Sequence, residues 1–169
     1  MRTDCDFGHI ALYLALMYSK EEKKQLNIDF FEAFAAHMKP HKSVGGGGSR
    51  WESYKTGVKG LYFRMELEPE IILTIDIQTK DPGVRLLMFE QFWEFIKILE
   101  GHWEEKPIRS PVYVMPTGQE ISRVWVRLDG HKLTKREHWP AIITWFEKKW
   151  VGLDEFWELV QDVVKDLSK

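Results

Sequence analysis

Six positive side chains and one carboxylate lie between Lys39 and Arg64: Lys39, Lys42, Arg50, Lys55, Lys59 and Arg64 against Glu52. That is a local charge of +5 in a chain whose net charge is -2. Trp51, Tyr54 and Tyr62 interleave with these cations. Cations neutralise phosphates and exposed rings stack on unpaired bases. Lys42, Arg50, Trp51, Tyr54, Lys55 and Arg64 therefore form a candidate footprint for DNA or RNA. The competing reading is a flexible loop of solvated lysines with Trp51 tucked into the core. The four glycines Gly45 to Gly48 offer backbone amides to an anion, but no G-x-x-x-x-G-K-[ST] is present, so this is not a nucleotide P-loop.

A second set has different chemistry. Glu66, Asp76 and Lys80, with Glu32 as an outer ligand, resemble the acids and lysine of a PD-(D/E)xK-type nuclease, in which Mg²⁺ activates the attacking water. Gln78 stands where that pattern wants lysine, and Lys80 follows two residues later. Mg²⁺ belongs to this alternative alone; otherwise no cofactor is expected. The plainer reading of the same residues is the polar face of a sheet, with Arg123 and Arg127 as cross-strand ion partners. His37 and His41 have the i, i+4 spacing of a metal pair, but Pro40 falls between them, and the expectation is ordinary histidines.

These residues need elements to hold them. Leu26, Phe30, Phe34 and Met38 recur at helical spacing, with Ser19 and Glu22 as a capping box and Pro40 as the stop. Leu61, Phe63, Met65 and Leu67 alternate with Tyr62, Arg64 and Glu66; Ile71, Leu73, Ile75 and Ile77 alternate with Ile72, Thr74, Asp76 and Gln78. The two runs read as a hairpin turning at Glu68-Pro69-Glu70. Asp81-Pro82-Gly83 opens a helix over roughly 84–100, and strands are expected at Val112–Met115 and Glu120–Leu128. His138–Lys149 and Asp154–Leu167 read as a helix pair broken near Val151-Gly152, with Asp154 as N-cap. The fold class is α+β with mixed α/β layers, an antiparallel or mixed sheet of four or more strands flanked by helices in nuclease-like layering.

Composition sets the outer bounds. The chain has 169 residues, 14% aromatic with 8 Trp, and one cysteine. One cysteine excludes a disulfide framework and a thiolate zinc site, and suits a cytoplasmic protein. The apolar run Ile10 to Leu16 is too short to span a bilayer, so no membrane partner is expected. Residues 1–16 read as an N-terminal extension and residues 17–169 as one globular domain. Most tryptophans fall at helix-core positions, and the aromatic C-terminal helices offer a further reading as a protein-interaction or homodimer surface.

The segments FFEAFAAHMKPHKS, RWESYKTGVKGLYFRMEL, TIDIQTKD, FEQFWEF and LDEFWE together resemble the bacterial domain of unknown function 4268 family. The similarity runs from about Tyr18 to Lys165, and W-x-x-Y-K-T-G, Trp51 to Gly57, is its most specific block. The glycine run and the first 16 residues depart from the pattern. The resemblance implies association with nuclease-like modules. It supplies no activity and no catalytic residues. The reading that follows is a nucleic-acid-associated binding module that is not an enzyme, with the Mg²⁺-dependent nuclease and the interaction module as alternatives.

Overall fold

The computed structural model describes residues 4–46 and 50–169. Its elements are α1 (Asp4–Met38), β1 (Leu61–Glu66), β2 (Ile71–Ile77), α2 (Pro82–Glu94), α3 (Ile96–Trp103), β3 (Ile108–Val114), β4 (Glu120–Leu128) and α4 (Trp139–Leu167). Short 3₁₀ turns occupy Trp51–Ser53 and Arg136–His138. The four strands make one sheet in the order β1-β2-β4-β3, antiparallel throughout, so the fold is α+β. No helix among the described residues is long and apolar enough to cross a membrane.

Alternation decides the faces. Leu61, Phe63, Leu73, Ile75 and Ile77 point into the helical layer, where they join Phe34, Phe92, Phe146, Trp150, Phe156 and Trp157 in one core. Phe63 meets Trp157 edge-on at 5.4 Å between ring centroids. Burying each such side chain contributes about 1.5–3 kcal/mol. Five of the eight tryptophans, Trp51, Trp103, Trp139, Trp150 and Trp157, are buried, so most of the aromatic excess is core. On the opposite face Tyr62 and Arg64 are exposed, while Thr74, Asp76 and Arg123 are covered by their neighbours.

Three helix boundaries differ from expectation. α1 runs through Ser19 without a cap, because Ala11 to Met17 are mostly good helix formers and nothing stops the helix there. Ile10, Leu12, Tyr13, Leu14, Leu16 and Met17 are exposed on this half; contact with the core begins at Leu26, and the first fully buried side chain is Phe30. The single helix expected over 84–100 is two, separated at Phe95, with Asp81 capping the first by accepting from Gly83 N–H and Val84 N–H at 2.8 and 3.0 Å. The expected C-terminal helix pair is one continuous helix. Gly152 does not break it. It lets α3 close on α4, since a Cβ there would lie 2.5 Å from the carbonyl oxygen of His102. The crossing is tied by Trp103, whose Nε1 donates to the Lys149 carbonyl at 3.0 Å, and by Lys149, whose ammonium donates to the Trp103 carbonyl and pairs with Glu105 at 2.9 Å. Asp154 is not a cap. It is buried in the helix, 3% exposed, and its carboxylate faces the segment that follows α1.

Candidate functional site

The described residues between α1 and β1, 41–46 and 50–60, are held against α4 by three tethers. Glu147 on α4 accepts from the imidazoles of His37 and His41, the latter at 3.0 Å. Asp154, two turns further on, accepts from the Ser43 hydroxyl at 2.6 Å and the Val44 amide at 2.8 Å. The Tyr54 phenol donates to the same carboxylate at 2.6 Å. Trp51 anchors the middle of the segment in the core, edge-on to Trp150 at 6.1 Å. Burial, then the hydrogen bond and charge of Asp154, push the Tyr54 phenol far above the usual tyrosine range, so it remains a donor.

This arrangement leaves a cleft of about 670 Å³ between the segment and the last turns of α4. Arg50, Ser53, Tyr54 and Lys55 line one wall, and Trp157, Glu158, Gln161 and Lys165 line the other. Lys165 reaches the opposite wall beside Gly57, whose positive φ of 75° is the turn conformation that favours glycine. Lys165 Nζ donates to Gln161 Oε1 at 2.7 Å, and Gln161 Nε2 donates to Glu158 Oε2 at 2.9 Å. Three cations thus face one carboxylate. Among the described residues none of Arg50, Lys55 and Lys165 is in an ion pair.

Of the expected nucleic-acid footprint, Arg50, Tyr54 and Lys55 meet at this cleft. Lys42 is exposed nearby but does not line it. Trp51, expected as a stacking ring, is 3% exposed and unavailable, because its indole fills the core beneath the segment. Arg64 lies on the outer face of the sheet, its guanidinium carbon 4.4 Å from the ring centre of Tyr62. Gly45 and Gly46 are exposed; the rest of the glycine run lies outside the described residues. Sequence reasoning missed Lys165 and Gln161, which are 110 or so residues distant and look like ordinary helix-surface residues, and it missed Asp154 as a tether.

The second set disperses. Glu66 and Asp76 do approach one another, but Arg123 occupies the space between them. Its Nε and Nη2 donate to the two Asp76 oxygens at 2.8 and 2.9 Å, and Nη2 donates to Glu66 at 2.9 Å. Asp76 is fully buried and Arg123 is 2% exposed. Burial alone would lower the guanidinium pKa; the hydrogen bonds and charges of Asp76 and Glu66 outweigh it and raise it. Glu32 lies on α1 in a shallow apolar groove with Phe31, Ala35 and Glu52. Lys80 is exposed in the turn before α2. Among the described residues no three His, Cys, Asp or Glu side chains are grouped to hold a metal ion.

Pro40 ends α1 between His37 and His41, yet both imidazoles reach one carboxylate. The hydrogen bond from His37, offset in part by burial and reinforced by the charges of both histidines, lowers the Glu147 pKa below its ordinary value of 4.5. A lowered carboxylate pKa contributes stability that is present above the ordinary value and lost as pH falls through the folded one. The stability gap between the parent protein and Glu147→Gln is therefore expected at about 1 kcal/mol near pH 6 and smaller at a pH below 4.5. Urea denaturation at both pH values reads it; a gap of equal size at low pH would contradict the tether.

The rings of α4 are committed inward. Phe146, Trp150 and Phe156 are fully buried, and the exposed apolar residues of its C-terminal half are Leu159 and Val163.

A family model described as a domain of unknown function (DUF4268) matches residues 26–161, most of the chain. No curated protein and no solved structure matches it.

Proposed function

As the chain belongs to that family, whose description names no activity, we propose from the cleft itself that the domain is a cytoplasmic, non-enzymatic module that binds nucleic acid. One observation carries the reading: Arg50, Lys55 and Lys165, distant in sequence, converge on one cleft and carry no ion-pair partner there. Cations held in this way gain by neutralising phosphates, since each contact releases condensed counterions into solution. Tethering the wall at Asp154 and Glu147 supports the same reading, because a held loop loses less freedom when a ligand binds. Glu66 and Asp76 are spent on Arg123, so they support the fold, and the proposal gives them no part in binding.

Fluorescence anisotropy with a labelled DNA oligonucleotide tests this. Three phosphate contacts predict a slope of log K against log salt of about −2 to −3. Arg50→Gln, Lys55→Gln and Lys165→Gln combined are expected to weaken binding at least about tenfold at low salt and flatten that slope. Lys42→Gln with Arg64→Gln is expected to stay within about twofold. No binding by the parent protein, or full binding by the triple variant, would refute the assignment.

A further inference from the structure

We infer that the cleft takes the sugar–phosphate backbone with the bases turned outward, so that it binds strands irrespective of base identity. This rests on the nucleic-acid reading above and specifies its ligand. A base is held by an open ring face or by amides and hydroxyls free to bond its edge. The cleft offers little of either. The Tyr54 ring lies over Trp150 at 5.6 Å and against Phe63 at 5.3 Å. Trp157, the other aromatic in the wall, is 3% exposed and packs on Phe63 and Phe92. Several of the polar groups are occupied too. Tyr54 and Ser43 hydroxyls donate to Asp154, and Gln161 is bonded at both ends of its amide, to Lys165 and Glu158. The Arg50 and Lys55 side chains reach the cleft from exposed positions, and Lys165 bonds only a neutral amide. Cations on long flexible stems match phosphates, which repeat along any strand.

Competition against a labelled DNA oligonucleotide separates the two levels of the claim. The competitors are the same oligonucleotide unlabelled and an abasic phosphodiester strand of equal length. The abasic strand is expected to compete within about threefold of the base-bearing one. An abasic strand weaker by tenfold or more would overturn the inference while leaving nucleic-acid binding intact. Binding of neither strand would overturn the nucleic-acid reading and this inference with it. Tyr62→Ala supplies an independent control, because Tyr62 is a 40% exposed ring on the outer sheet face, away from the cleft. Unchanged affinity is expected. A loss of fivefold or more would place bases on that ring and contradict the outward arrangement.

Discussion

Arg123→Met is expected to cost about 3–5 kcal/mol of folding stability. The guanidinium is nearly sealed from water and satisfies both oxygens of a fully buried Asp76. Methionine fills much of the same space but leaves the Asp76 carboxylate buried without a counter-charge. Glu66 suffers less, because its side chain is 34% exposed and water can replace the lost bond. The variant should therefore relieve itself by protonating Asp76. A buried, unpaired carboxylate has a raised pKa, so the folded variant binds a proton that its unfolded chain releases. Its deficit is largest at neutral pH and narrows as pH falls toward about 4. Arg123→Met combined with Asp76→Leu should recover much of the loss, since an apolar pair of similar volume replaces the ion pair without stranding a charge. Chemical denaturation of the three proteins checks both statements. A single-variant loss below about 1 kcal/mol would show that the pair is hydrated and not the buried element described.

Asp154→Ala is the second large effect, at about 2–4 kcal/mol. One carboxylate there holds the Ser43 hydroxyl, the Val44 amide and the Tyr54 phenol, and thereby both ends of the cleft wall. Removing it leaves three donors at a partly buried site and releases Ser43, Val44 and Tyr54 from α4. Two consequences should appear together. The stability loss should exceed that of Tyr54→Phe, which removes one bond and about 1 kcal/mol. Protease cleavage between Arg50 and Lys55 should also accelerate under native conditions, since the Tyr54 tether that suppresses local opening is gone. Equal stability losses in the two variants, with unchanged cleavage, would mean that Trp51 and the Glu147 tether hold the segment without Asp154.

Local pattern carried much of the fold. The alternation in Leu61 to Glu66 marks the buried face of β1, whereas β2 is buried on both faces, so there the pattern tells only which side meets the helices; Asp81-Pro82 marks a helix start by its own hydrogen bonding. The errors came where tertiary packing uses a residue against its local preference. Gly152 has the look of a helix break, yet its missing Cβ is what admits the His102 carbonyl. Asp154 has the look of an N-cap, yet its oxygens bond a segment about 110 residues upstream. Pro40 separates His37 from His41 along the helix, and a third residue on α4 reunites them. The candidate site was half visible. The run of cations gave Arg50 and Lys55, but a basic run does not say which of its members converge. Lys165 completes the cleft from α4, and only the docking of the segment on that helix reveals it.

The central claim is that nucleic acid binds between this segment and the end of α4. Amide chemical-shift mapping of the isotope-labelled protein during titration with a DNA oligonucleotide tests it most directly. The account predicts that the shifted resonances cluster at residues 43–57 and 158–165, with Tyr62, Arg64 and Trp125 on the outer sheet face unmoved. Shifts centred on that outer face, or none at saturating oligonucleotide, would contradict it.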